Sequence, residues 1–186
     1  MSTQTWSRFF AMIAVACAVA AVGGVAMLAS ARLGKRPSWV DETHHAVADL
    51  ALWLAAIIAI VTTVGSLYYS LGAHYVPCEL CWYQRICMYP LSVMLLIAAL
   101  RRDLAVRRYA APLVLIGIVI AAYHSQLQAF PEQRTFCDIA NPCSSRYVWE
   151  FGFVSLPLMA LVAFSAIGVL LLLAGRPQPL SDEDSR

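Results

Sequence analysis

Four of the six cysteines fall in two closely spaced pairs. Cys78 and Cys81 form a C-x-x-C motif directly after Pro77, and Cys137 and Cys143 flank the pentapeptide DIANP. Neighbouring thiols can interconvert between dithiol and disulfide, and disulfides persist outside the cytosol. The two pairs therefore predict two dithiol/disulfide couples on an exported face of the protein.

The C-x-x-C motif lies at the start of an apolar segment that we predict to be a helix. A helix N-terminus lowers the pKa of a thiol from about 8.5 towards ~3.5–7.5 in favourable cases, so one sulfur is expected to be a thiolate. Arg85 follows Cys81 by one helical turn, about 6 Å deeper. An arginine in a span costs about 2.5–3.5 kcal/mol. It therefore either snorkels to the headgroups or has a task, such as holding a thiolate.

The Asn141-Pro142 step favours a turn between Cys137 and Cys143. Such a turn can bring the two Cα atoms within the roughly 4.4–6.8 Å that a disulfide requires. A ring this small gains little from loop-closure entropy, which predicts a labile disulfide suited to exchange. A purely structural disulfide is the alternative.

Two further cysteines and two polar residues fall inside or near the spans. Cys17 and Cys87 are expected to be small apolar side chains in the bundle. His124 and Gln128 lie one turn apart on one helical face, at about the depth of Arg85. They either hydrogen-bond to a neighbouring helix or share a polar site with Arg85.

The elements that must position these residues are membrane helices. The chain is 61% hydrophobic and 13% charged, with a mean hydropathy of +0.69. A span needs roughly 20 apolar residues. Five stretches qualify, at about 9–31, 47–71, 82–100, 109–127 and 153–173. The composition predicts an all-α integral membrane bundle, and the net charge of +2 indicates no nucleic-acid partner.

Basic residues indicate how the spans are oriented. Alternate connections carry nine Lys and Arg on one side and three on the other, which places residues 32–46, 101–108 and the C-terminus in the cytoplasm. The N-terminus and both cysteine pairs are then outside. Residues 9–28 followed by Ala29-Ser30-Ala31 also resemble a cleaved signal peptide, but cleavage would reverse this charge parity.

The longest connection is expected to cover the outer mouth of the bundle. It runs from about Gln128 to Gly152, is polar, and is long enough to fold back. The tail at 176–186 is expected to be disordered. Seven aromatic residues near the outer face are typical of an interfacial belt: Tyr68, Tyr69, Tyr75, Trp82, Tyr83, Tyr147 and Trp149.

The segment PCELCWYQR at 77–85 resembles the P-C-x-L-C-x-Y-x-R signature of the DsbB family. Other landmarks follow in the family's order: Tyr123-His124, Leu127-Gln128, the loop cysteines, Trp149-Glu150-Phe151-Gly152 and Leu156-Pro157. The resemblance covers about residues 48–175. The short loop spacing is closer to the compact relatives, and the span at 9–31 is extra to the four-helix core.

The resemblance implies a DsbB-like four-helix domain at 47–175 with a redox loop at 128–152, preceded by an extra helix and cytoplasmic connection at 1–46. It further implies an enzyme of the bacterial cytoplasmic membrane. The oligomeric state is open, and the bundle itself is sufficient to work as a monomer. Its soluble partner would be a DsbA-type thioredoxin-fold thiol oxidase, and its electron acceptor a quinone, ubiquinone or menaquinone.

Residue roles follow from the same resemblance. The partner's thiolate attacks Cys137, Cys143 is released to exchange with Cys78, and Cys81 faces the quinone. Arg85 stabilises charge, and His124 or Gln128 binds a quinone oxygen. No metal ligand is expected.

Three rival classes can be weighed from the residues. A vitamin K epoxide reductase-like protein would have its loop cysteines before the C-x-x-C, whereas here Cys78 and Cys81 come first. Haem attachment requires histidine where Trp82 stands. A non-enzymatic membrane protein with structural disulfides or a four-cysteine zinc site stays open as the alternative.

Overall fold

The computed structural model describes residues 3–32, 38–133, 137–138 and 141–174. Five long helices form the described chain: α1 (Thr3–Arg32), α2 (Ser38–Leu67), α3 (Glu79–Arg101), α4 (Arg107–Ala129) and α5 (Leu156–Leu173). A π-helical turn, Tyr68–Gly72, continues α2, and a 3-10 turn, Leu104–Val106, precedes α4. Each of the five is long and apolar enough to cross a membrane, which confirms the predicted all-α membrane bundle. The predicted disordered tail and the basic residues Lys35 and Arg36 lie outside the described residues.

Helix α5 lies against α1, α2 and α4 and carries much of the core. Phe164 on α5 is fully buried and lies over Gly117 of α4, where a Cβ atom would overlap the phenyl ring. Gly24 of α1 likewise lies against Val169 of α5. Small residues at these crossings let helix backbones approach closely, which is how helices associate within a membrane.

The short connection between α3 and α4 reverses the chain tightly. Arg102 ends α3 in the left-handed conformation, and the Asp103 carboxylate accepts from Ala105 N at 2.8 Å. Arg107 donates to the Ala174 carbonyl at 3.0 Å and satisfies an otherwise open C-terminal group of α5. This basic turn lies at the end of the bundle opposite to the C-x-x-C motif. We call the end that holds Cys78 the cysteine end.

The connection between α4 and α5 folds back over the cysteine end. Asn141 donates to the Val76 carbonyl at 3.5 Å and accepts from Tyr147 at 3.3 Å. Tyr147 also stacks on Tyr75, with ring centroids 4.9 Å apart. The described part of this connection is therefore seated on the segment that leads into α3.

Candidate active site

The C-x-x-C motif begins α3. Cys78 is the extended residue just before the helix and is only 5% exposed, while Cys81 lies in the first turn. Both are free thiols, and their Sγ atoms are 2.9 Å apart. Helical geometry over three residues thus holds the two sulfurs within hydrogen-bond distance and ready to form a disulfide.

The surroundings of Cys78 favour its thiolate form. The hydrogen bond from the Cys81 thiol is the main cause of a lowered Cys78 pKa, burial opposes it, and the hydrogen bond from His124 adds to it. A negative sulfur at this position also lies at the positive end of the α3 dipole. Of the two sulfurs, Cys78 is therefore the one to which the predicted thiolate is assigned.

His124 connects the C-x-x-C motif to the loop. Its ring is 1% exposed, and Nε2 lies 3.0 Å from the Cys143 carbonyl oxygen and 3.7 Å from Cys78 Sγ. Because a carbonyl can only accept, Nε2 carries a proton and donates. The other ring nitrogen, Nδ1, lies 3.2 Å from the Gln84 amide nitrogen and accepts from it.

The loop cysteines form a disulfide, as their spacing predicted. Cys137 and Cys143 are bonded, with Cα atoms 6.0 Å apart. Cys143 is 1% exposed and shares an apolar cluster with Cys78, and Cys81 and Cys137 pack against that cluster. Cys137 is the more accessible sulfur, since it is half-buried. The fold therefore brings all four cysteines to one place.

Gln128 holds the loop in position. Its side-chain amide donates to the Ser145 carbonyl at 2.8 Å, and its backbone carbonyl accepts from Arg146 Nε at 2.9 Å. The Arg146 guanidinium also lies 4.1 Å from the Trp149 ring centroid. The Gln128 Oε1 atom is buried without a hydrogen-bond partner in the described structure.

A cavity of ≈ 390 Å³ lies on the other side of the C-x-x-C motif. Cys81, Gln84 and Arg85 line the part that we call its polar end. The rest of the lining is mostly apolar and comes mainly from α1, α2 and α5, with polar groups at Thr62, Ser66, Tyr69 and Tyr89. Arg85 donates to the Ser66 carbonyl at 3.1 Å and to the Ser70 hydroxyl. Arg85 is thus anchored on α2 and its π-helical turn, beside the cavity that Cys81 enters.

The predicted quinone contacts fall on two sides of the motif. Arg85 lines the large cavity, whereas His124 and Gln128 line a smaller one of ≈ 20 Å³ together with Cys78 and Cys81. The structure therefore unites Arg85 with Cys81 but not with His124. A quinone contact by His124 or Gln128 stays a prediction.

Sequence reasoning assigned no task to Gln84, which is buried between the large cavity and His124. Its position three residues after Cys81, on the same helical face, was an available signal. Ser66 and Ser70, which anchor Arg85, left no such signal because their contact depends on how α2 packs against α3.

The remaining cysteines take no part in this cluster. Cys87 is buried in the main apolar core, as expected for a small apolar side chain, and Cys17 is half-buried at the wall of the large cavity.

Metal ligation was the non-enzymatic alternative. The ligand atoms of Cys78, Cys81 and His124 lie within 4.8 Å of one another, which makes three soft donors. A structural zinc site uses four ligands, and the disulfide removes Cys137 and Cys143 from the four-cysteine site considered above.

The family model for disulfide bond formation protein DsbB matches residues 48–174. The chain belongs to the DsbB family. A probable disulfide formation protein of Coxiella burnetii (strain Dugway 5J108-111) is 40% identical over 68% of this chain and 88% of its own. Disulfide bond formation protein C of Bacillus subtilis (strain 168) is 40% identical over 66% and 90%. A probable disulfide formation protein of Oceanobacillus iheyensis is 43% identical over 69% and 89%.

No solved structure matches this chain. Membership of the DsbB family, together with the names of these relatives, makes the chain a disulfide-forming multi-pass membrane protein with an oxidoreductase role. The matched segment begins at residue 48, so α1 lies outside it.

Proposed function

We propose that this protein reoxidises a soluble dithiol protein of the DsbA type and passes the two electrons to a membrane quinone. The observation that carries the proposal is the position of the C-x-x-C motif. One side of it contacts the loop disulfide, and Cys81 opens into a large apolar cavity on the other. Electrons can enter from the loop and leave through the cavity.

Electron entry starts at the more accessible sulfur. A thiolate of the partner attacks Cys137, forms a mixed disulfide with it and releases Cys143 as a thiolate. Cys143 lies in the cluster with Cys78, so it is placed to attack Cys78 of an oxidised Cys78–Cys81 disulfide. This attack forms a Cys143–Cys78 disulfide and releases Cys81 as a thiolate. The partner's second thiol then resolves the first mixed disulfide. Cys137 regenerates the loop disulfide by attacking Cys143, which leaves Cys78 and Cys81 reduced.

The described structure has this last redox state, with the loop disulfide closed and Cys78 and Cys81 free. The Cys78 thiolate and the Cys81 sulfur then form a bond across the 2.9 Å that separates them. Two electrons and the Cys81 thiol proton leave the pair, and the second proton that the acceptor takes up comes from water. A bound quinone supplies the two-electron, two-proton acceptor that this step requires.

The large cavity fits such an acceptor. Ligand pockets for molecules of this size are about 300–1,000 Å³ and mostly apolar, with a few polar groups that set orientation. Here the cavity is ≈ 390 Å³ and mostly apolar, and the polar side chains of Gln84 and Arg85 line it together with Cys81. Arg85 would face the negative charge that develops as the acceptor is reduced, and its hydrogen bonds to Ser66 and Ser70 hold the guanidinium there.

We further propose that the membrane is the bacterial cytoplasmic membrane and that the cysteine end faces outwards. Four arginines, Arg101, Arg102, Arg107 and Arg108, cluster at the opposite end of the described bundle. Basic connections stay in the cytoplasm. The cysteine end is then on the side where disulfides persist.

The test is quinone absorbance after a reduced DsbA-type partner is added to the purified protein in lipid. The wild type is expected to consume quinone, and Cys81→Ser is expected to consume none. Cys87→Ser, a matched change in the apolar core and outside both cavities, is expected to retain consumption. If the wild type consumes neither ubiquinone nor menaquinone in the presence of a competent partner, the proposal is refuted. Metal analysis of that same protein would then test the three-donor zinc alternative.

A further inference from the structure

Helix α1 forms one wall of the large cavity, although it lies outside the segment that the DsbB family model matches. Phe10, Ile13, Ala14 and Cys17 of α1 all line the cavity. They extend over about two helical turns, or roughly 10 Å along the membrane normal. The four-helix core alone would leave this side of the cavity without a protein wall.

Contacts at the cysteine end hold α1 in place. Tyr69 donates to the Ser7 hydroxyl at 3.3 Å in a buried hydrogen bond, and the Trp6 ring lies 5.5 Å from the Tyr68 ring. Arg8 adds an ion pair of 3.6 Å with Glu150 of the α4–α5 connection. Tyr68 and Tyr69 belong to the same π-helical turn whose Ser70 anchors Arg85, so α1 packs on the element that positions the cavity's cation.

Contacts further along α1 hold its other half. Gly24 lies so close to Val169 of α5 that a Cβ atom there would meet the valine side chain. The outward face of α1 is different, since Val15, Val19 and Val22 are exposed in the bundle. One face of α1 therefore faces the bundle and the cavity, and the other faces lipid.

We propose that α1 is the binding wall for the isoprenoid tail of the quinone. The proposal rests on the quinone function proposed above. Cys81, Gln84 and Arg85, which can orient a quinone ring next to the C-x-x-C motif, come from α3. The other polar groups of the lining, Thr62, Ser66, Tyr69 and Tyr89, come from α2, its π-helical turn and α3. The α1 side chains at the cavity are apolar or weakly polar, so they suit a hydrocarbon tail and offer the ring no strong hydrogen bond. The residues of this wall set which tails fit.

Replacing each of two alanines of α1 by phenylalanine, in a matched pair of variants, tests this role. Ala14 is buried at the cavity, whereas Ala16 is exposed on the lipid-facing side of the same helix. Ala14→Phe fills the cavity and is expected to raise KM by about tenfold or more for a quinone with a long isoprenoid tail. It is expected to change KM less than about twofold for a tail-less analogue of the same ring, because the polar end stays intact. Ala16→Phe is expected to leave both values unchanged.

Photolabelling of the wild-type protein provides a measurement that no folding defect can affect. A quinone with a photoreactive group on its tail is expected to label the stretch from Phe10 to Cys17. Labels confined to α2–α5, or equal KM changes for tailed and tail-less quinones in Ala14→Phe, would overturn the role of α1. If Ala14→Phe behaves as Ala16→Phe while the wild type reduces both quinones, the α1 role alone fails. If the wild type reduces neither quinone, the proposed function fails instead.

Discussion

Replacement of His124 by alanine is expected to raise the pH at which Cys78 becomes a thiolate. His124 Nε2 lies 3.7 Å from Cys78 Sγ, and a hydrogen bond to the charged form of a thiol lowers its pKa. The Cys81 thiol, which is the largest cause of the low Cys78 pKa, is unchanged in the variant. The midpoint therefore rises but stays below that of an ordinary thiol. The thiolate fraction falls at low pH and is preserved at high pH.

The size of the effect follows from the geometry. A hydrogen bond to a charged group contributes about 1.5–3 kcal/mol, and 1.36 kcal/mol corresponds to one pH unit. Because 3.7 Å is a long contact even for sulfur, we take the lower end, a rise of about one pH unit in the midpoint. Well below both midpoints the thiolate fraction then falls about tenfold. A more basic thiolate is also a better nucleophile, with a Brønsted coefficient of about 0.4–0.5, so the net rate falls roughly threefold.

The assay is the pH dependence of Cys78 alkylation by iodoacetamide, resolved by mass spectrometry in protein whose Cys17 and Cys87 are alanine. His124→Asn keeps a neutral donor and is expected to lie between the wild type and His124→Ala. Gln126→Ala is the matched control, because Gln126 is exposed on the same helix. A midpoint in His124→Ala equal to that of Gln126→Ala would refute the stabilisation of the thiolate by His124.

Two further predictions concern packing and the cavity's cation. Gly117→Ala is expected to lower stability by about 1–3 kcal/mol, because the new methyl group would overlap the buried Phe164 ring. Gly23→Ala is the control: its methyl group meets no atom within 4 Å, so the change is expected to be neutral or stabilising by up to about 1 kcal/mol. Thermal unfolding in detergent measures both, and the opposite order would contradict the close α4–α5 crossing. Arg85→Gln is expected to slow quinone reduction by at least about tenfold, through loss of its charge at the cavity, and to leave the formation of mixed disulfides with the partner unchanged. Stopped-flow absorbance and acid-trapped gels separate the two steps, and equal losses in both would place Arg85 elsewhere in the reaction.

The helices and the loop disulfide could be predicted because their signals are local. Apolar runs of sufficient length predicted all five spans, and the six-residue separation of Cys137 and Cys143 predicted their pairing. The helices themselves extend beyond the apolar spans: α1 and α2 begin at Thr3 and Ser38, several residues before the spans predicted from 9 and 47. Hydropathy detects only the apolar part of a helix, whereas backbone hydrogen bonds continue into its polar flank.

The division of the polar residues between two cavities could not be predicted. The sequence indicated that Arg85, His124 and Gln128 lie at about the same depth in the membrane. It did not indicate which way each side chain faces. Which way each residue faces depends on the rotation of α3 and α4 about their axes, and neighbouring helices determine that rotation. The burial of Cys143 against Cys78 could not be predicted for the same reason, because it depends on how the loop packs on the bundle.

Gln84 connects the two sides of the C-x-x-C motif. Its side chain lines the large cavity and also donates to His124 Nδ1, while His124 Nε2 contacts both Cys78 and the Cys143 carbonyl. A group that occupies the polar end of the cavity therefore touches the residue that orients the imidazole ring. Under the proposed function, occupancy of the cavity can thereby influence the thiolate at Cys78 without any movement of the helices. The coupling requires the hydrogen bond from Gln84 to His124 and the one from His124 to Cys78. A variant that keeps only one of these two is therefore expected to separate cavity binding from the reactivity of the Cys78 thiol.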